Sequence, residues 1–195
     1  MRIGRATTLF ATAPLLAGLL ALAAPPAADL QADEAFARKS GVCPNAHTEP
    51  QDLSADAARH AIRCLLDKRR SDRAGGLGAN GKLDKAAQRH TDHMIDHGCF
   101  AHECPGEPGM VPRVKSTGYL DGVQAWSVGE NIAWGEGKLG SPAAIVQAWM
   151  DSPGHRANIL NRSFEDLGIG FVHGTPDEPH AGGATYTTDF GFNHG

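Results

Sequence analysis

The segment Ala148-Trp149-Met150-Asp151-Ser152-Pro153-Gly154-His155-Arg156-Ala157-Asn158-Ile159-Leu160 holds the end of one helix, the start of the next and a histidine just inside it. Ser152-Pro153 reads as a helix start, because a serine side chain can accept from the free N–H groups of a first turn and proline fits that turn without losing a hydrogen bond. His155 then stands in the first turn, where the positive end of the helix dipole disfavours imidazolium and favours the neutral ring. The helix is short, carrying Ile159 and Leu160 before Asn161. Upstream, Ser141-Pro142 repeats the device and opens a helix with an apolar stripe of Ile145, Val146, Trp149 and Met150.

Toward the C-terminus, Leu167-Gly168-Ile169-Gly170-Phe171-Val172 and Ala184-Thr185-Tyr186-Thr187-Thr188-Asp189-Phe190 read as strands divided by a loop of Gly, Pro and Asp, and an antiparallel pair is expected. Residues 126–134 supply a third short strand. Toward the N-terminus, Ala58, Ala61, Ile62, Leu65 and Leu66 follow helical spacing from Ser54, a good cap, with Arg59, Arg63, Asp67 and Arg70 on the opposite face. A second helix spans about 84–97, with Leu83, Ala86, Ala87, His90 and Met94 on one stripe and Gly98 as its stop. His90 therefore belongs to the buried face. Two prolines and three glycines between 106 and 118 leave room only for a short helix over 110–115. The sum is an α+β fold, a small antiparallel sheet between helices in a single domain.

The first residues address the compartment. Arg2 and Arg5 precede an apolar run over 15–22 that is too short to cross a bilayer, with small residues at Ala21, Ala23 and from Ala24 on, so residues 1–28 read as a signal peptide. Its removal takes the formal charge from −4 to −6, which argues against nucleic acid or an anionic membrane as partner. The mature chain carries no transmembrane segment, and a monomer secreted to the medium or the cell surface is expected. Residues 29–52 form a lead-in without periodicity, pinned mainly by Cys43, and the domain proper occupies 53–195. Four cysteines in a secreted chain allow three pairings, of which spacing favours Cys43 with Cys64 and Cys99 with Cys104. The first bridge would constrain the unfolded chain by about 3 kcal/mol. The second would close a tight turn around His102.

Three motifs occur in order: Cys99-Phe100-Ala101-His102, Gly129-Glu130-Asn131-Ile132-Ala133, and the segment from Ala148 to Leu160. Together with Gly168-Ile169-Gly170-Phe171 and Tyr186-Thr187-Thr188-Asp189-Phe190-Gly191 they resemble the CAP superfamily, the SCP-like, cysteine-rich secretory and pathogenesis-related proteins, in its bacterial form. The resemblance runs from about Leu65 to Gly191. It implies an α–β–α sandwich whose surface cleft displays two histidines and two acidic residues, with His102 and His155 at the histidine places and Glu130 at one acidic place. The second acidic place falls near Ser152, where many eukaryotic members carry glutamate. Tyr186-Thr187-Thr188 likewise replaces the Trp-Thr-Gln common in the family.

Two neutral histidines and a carboxylate make a recognised zinc set with an open position for water, so His102, His155 and Glu130 are candidate ligands of a divalent metal. Glu130 can alternatively serve as general base toward a bound water. The competing reading is a hydrogen-bonded polar network that holds the cleft's shape. His93 and His97 stand at i and i+4 without an HExxH glutamate, and a solvated face explains them. Ser152 lacks a GxSxG elbow. Trp126, Trp134 and Trp149 fit core positions, and Arg156, Asn158 and Asn161 fit support of the turn after the cleft. The resemblance implies an extracellular binding module for a lipid, sterol, glycan or protein ligand, more than an enzyme. Its rivals are a metal-dependent extracellular hydrolase using the same cleft and a stable structural protein of the surface or wall.

Overall fold

The computed structural model describes residues 4–5, 43–71, 73–179 and 182–195. Every element below belongs to one compact unit. In chain order these are β1 (Gly4–Arg5), α1 (Ala55–Arg70), β2 (Gly78–Ala79), α2 (Gly81–Asp96), α3 (Met110–Ser116), β3 (Ala125–Glu136), α4 (Pro142–Asp151), α5 (Pro153–Ile159), β4 (Asp166–His173) and β5 (Gly183–His194). The expected signal peptide, apart from Gly4–Arg5, and residues 29–42 of the lead-in lie outside the described residues.

Both long helices start where a side chain takes up first-turn N–H groups. Ser54 Oγ accepts from the Ala57 N–H at 3.2 Å. Asn80 Oδ1 accepts from Lys82 and Leu83, which lets α2 begin at Gly81, three residues before the expected start. Capping at Ser141 and Ser152 is not found. Neither hydroxyl accepts from its helix, and Ser141 Oγ instead donates to the Lys138 carbonyl at 2.7 Å. Proline at the first position is what starts α4 and α5.

The sheet has the order β1-β3-β5-β4-β2. β3 and β4 both run antiparallel to β5, whose register sets Glu130 opposite Asp189 and Phe171 opposite Tyr186. β1 pairs antiparallel with Ala133 and Trp134 of β3. The expectation of a purely antiparallel sheet needs one correction: β2 pairs parallel with β4, through Gly78 with Asp166 and Ala79 with Leu167. α2 lies so close to β4 that a Cβ at Gly168 would stand 2.1 Å from the Leu83 carbonyl carbon, and one at Gly170 would stand 2.4 Å from Thr91 Oγ1. The two glycines in β4 are the price of that approach.

Beyond its short pairing with β2, β4 is an edge, and side chains seal it. Asp84 and Gln88 of α2 accept from the N–H groups of Ile169 and Phe171, while Arg59 and Arg63 of α1 donate to the carbonyls of Ile169 and Leu167. An edge saturated in this way offers no row of free groups to another strand. Both expected disulfides are present, Cys43–Cys64 and Cys99–Cys104. The end of the lead-in is held by more than its cysteine, since Ala143 N–H donates to the Ala46 carbonyl at 2.8 Å.

Arg70, read from the sequence as lying on the solvent face of α1, is fully buried. Its guanidinium donates to the carbonyls of Gly75 (2.7 Å), Ala74 (3.0 Å), Ile159 (2.6 Å), Asn161 (3.0 Å) and Phe164 (2.9 Å). Helical spacing places the residue at the end of α1, but only the chain folding back from α5 into β4 supplies the acceptors that let a guanidinium be buried there. Arg70→Met removes every donor and leaves buried carbonyls unpaired. The expected loss is about 3 kcal/mol or more in urea denaturation, and a loss below about 1 kcal/mol would show that water replaces the clamp.

Candidate functional site

Alternation along β3 turns Glu130 and Ile132 toward α2 and α3, and turns Asn131 toward α5. Ile132 packs with Met94 and Cys104. Asn131 Nδ2 donates to the His155 carbonyl at 3.2 Å, and Asn158 Nδ2 donates to Asn131 Oδ1 at 2.9 Å and to the Glu130 carbonyl at 3.1 Å. The supporting role expected of Asn158 is thus a bracket between α5 and β3.

Glu130 is 3% exposed. Its Oε1 accepts from His102 Nδ1 at 2.8 Å, and its Oε2 accepts from Arg113 Nη2 at 2.5 Å. His102 rides on the loop that the Cys99–Cys104 bridge closes. Arg113, on α3, also donates through Nη1 to the carbonyls of His102 (3.0 Å) and Pro108 (3.1 Å), and lies 3.5 Å from Glu107 Oε2. His90 Nδ1 meets the same Glu107 oxygen at 2.7 Å, as a buried histidine with a bonded nitrogen should, while its Nε2 stands 3.7 Å from Glu130 Oε1.

The structure therefore brings two of the three expected residues, His102 and Glu130, into direct contact. His155 is 1% exposed in the first turn of α5 and is tied to β3 through its carbonyl and Asn131. A surface cleft displaying all three was expected. Glu130 and His155 lie beneath the surface, and the His102 side chain is the most exposed of the three at 14%, with its Nε2 buried.

The electrostatics follow from burial. Desolvation alone would raise the Glu130 carboxyl, but the hydrogen bond from His102 and the positive charge gathered around it, Arg113 included, hold it down at about 2. Across the strand pair, Asp189 is 1% exposed, and neither of its carboxyl oxygens makes a hydrogen bond of ordinary length. Burial first, and the negative charge of Glu130 second, push its pKa well above the aspartate range. Burial likewise pushes His90 down toward the neutral ring. A carboxyl held low, a carboxyl pushed high and a guanidinium thus share one buried space. His102 Nδ1 faces the Glu130 carboxylate at 2.8 Å and so carries a proton, while its Nε2 is buried and makes no hydrogen bond.

This set does not fit zinc. Both oxygens of Glu130 are engaged by donors, and among the described residues no group of three or more His, Cys, Asp or Glu side chains could hold a metal ion. A carboxyl held at about 2 is also a weak base.

Sequence reasoning passed over Arg113, Glu107 and Asp189. The signal for Asp189 was available, since it is the lone acid in a strand of Thr and aromatic residues and stands on an inward-facing position of β5. Arg113 and Glu107 sit in the Pro- and Gly-rich stretch where no periodicity reveals a face. A protonated Asp189 has a measurable consequence. Its raised pKa stabilises the fold fully only below the ordinary aspartate value of about 4, and that contribution fades as pH rises toward the folded-state value. Asp189→Asn, which imitates the protonated form, should gain stability relative to the unsubstituted protein as pH rises from about 4 to 8, read as a widening gap in melting temperature. A gap that stays constant with pH would show that Asp189 is ionised.

Residues 67–182 match the Cysteine-rich secretory protein family, CAP. Among curated proteins, the uncharacterised YkwD of Bacillus subtilis is 38% identical over 90 residues, covering 46% of this chain and 32% of YkwD. The chain thus spans about a third of that relative. Among solved structures, an extracellular protein containing an SCP domain from Bacillus anthracis aligns at TM-score 0.55 and 27% identity over 70% of this chain and 40% of that one. An outer surface protein from Borrelia burgdorferi aligns at TM-score 0.59 and 17% identity over 72% and 96%, a likeness of fold. The family match covers more than half of the sequence, and the paired strands, flanking helices and two disulfides agree with it: this chain belongs to the CAP, or cysteine-rich secretory protein, family.

Proposed function

We propose that this chain is an extracellular binding module whose ligand docks over the His102 loop, and that the buried Glu130 network supports that surface without performing chemistry. The observation that carries this reading is the double engagement of Glu130, by His102 on one oxygen and Arg113 on the other. A general base needs a free oxygen and a pKa near the working pH, whereas this carboxylate has two committed oxygens and a pKa of about 2. The location rests on two disulfides, which persist in oxidising compartments, and on the extracellular and outer-surface descriptions of the two structural neighbours. No helix of the described residues is long and apolar enough to cross a membrane. A lipid, sterol, glycan or protein ligand suits such a surface.

The test uses the secreted chain against phosphatidylcholine vesicles with and without cholesterol, and against purified cell-wall glycan. Binding to one probe that weakens about tenfold or more in His102→Ala, with the melting temperature kept, is the expected result. The metal-dependent hydrolase reading makes the opposite demand. Near-stoichiometric zinc after dialysis, together with a hydrolytic activity abolished by Glu130→Gln, would replace the binding module with an enzyme.

A further inference from the structure

A single guanidinium grips both ends of the contact on which the site depends. Nη1 of Arg113 holds the backbone of the His102 loop, through the carbonyls of His102 at 3.0 Å and Pro108 at 3.1 Å. Nη2 of the same group holds Glu130 Oε2 at 2.5 Å, on the strand that accepts the His102 ring. The two nitrogens belong to one rigid planar fork, so gripping both fixes the loop relative to the strand in a way that no flexible point charge can. The fork is itself braced. Arg113 is 4% exposed, Glu107 Oε2 lies 3.5 Å away, and His90 Nδ1 holds that oxygen at 2.7 Å.

We propose that Arg113 is the positioning residue of the His102 site: it touches no ligand, but sets the ring of His102 against Glu130 by holding the loop carbonyl and the carboxylate with adjacent nitrogens. The disulfide closes the loop upon itself and Cys104 packs on Ile132 of β3, but this apolar contact does not fix the ring of His102 against Glu130. The functional weight of this role rests on His102 being the ligand-facing group, as proposed above, whereas the positioning can be measured without any ligand.

The experiment follows the ring N–H of His102 by nitrogen-edited NMR, assigned by its loss in His102→Ala. The native protein should show one Nδ1–H tautomer protected from solvent exchange. Arg113→Lys keeps a positive charge beside Glu130 but cannot reach both partners, and exchange of that proton should quicken about tenfold or more. In Arg113→Ala, millimolar guanidinium ion should restore part of the protection. Glu107→Gln, which removes the brace and leaves the fork, should give a smaller increase, and it carries the test if the Arg113 variants do not fold. A folded Arg113→Lys, or in its place Glu107→Gln, with native exchange at His102 would overturn the proposal. Faster exchange in Arg113→Lys with vesicle and glycan binding unchanged would uphold the positioning and discard the binding role of His102.

Discussion

A carboxylate buried beneath two helices is costly, and this fold keeps one at Glu130 by bringing a guanidinium to it. Removing a charge from water costs several kcal/mol unless the geometry of its partner is good and its remaining lone pairs are met. Arg113 supplies the charge and His102 the second donor, so both oxygens are satisfied. The register of β3 on β5 makes the problem sharper, because it sets Asp189 directly across from Glu130. With Glu107 also in reach of Arg113, ionising every carboxyl would leave one guanidinium facing three anions. The raised pKa of Asp189 expresses that balance, burial and the charge of Glu130 both favouring its protonated form.

The rest of the architecture holds this network in place. The sheet can approach α2 only where β4 has no side chains, at Gly168 and Gly170, and that approach sets α2 with His90 beneath the His102 loop. Arg70 draws the chain from Ile159 to Phe164 onto the end of α1, and so anchors the far end of the helix that carries His155. Trp149 Nε1 donates to the Ile132 carbonyl, which locks α4 to β3 two residues beyond Glu130. Two buried donors, Arg70 and Trp149, thus hold α5 and α4 in place around the site.

The full engagement of this network is what supports the scaffolding role proposed for it. Catalytic acids and bases are usually left with a free lone pair and a pKa near the operating pH. Here the buried carboxylate is saturated, and the group nearest solvent is the histidine it orients. The same fold is seen at low identity in an outer surface protein and in an extracellular protein that contains an SCP domain. Identities of 17% and 27% at TM-scores of 0.59 and 0.55 show that the fold tolerates extensive change in sequence.

Periodicity and punctuation in the sequence determined the helices, the three main strands and the alternation that turns His90 inward, because these depend on neighbours within a few residues. Cysteine spacing pointed to the two bridges, and motif order carried the resemblance from which the fold followed. Tertiary structure alone decided how charged groups come to be buried. Arg70 looks solvent-facing by helical phase, yet five carbonyls enclose it, two from the turn just after α1 and three from the distant segment that ends α5 and follows it. Arg113 and Glu107 lie in a stretch without periodic pattern, and their roles arise only when the loop after α2 folds against β3. The cleft expected around three residues became a buried pair with one ring near the surface for the same reason. Local pattern tells which side of an element a residue occupies, but the depth at which a charge can rest depends on partners that only the folded chain brings within reach.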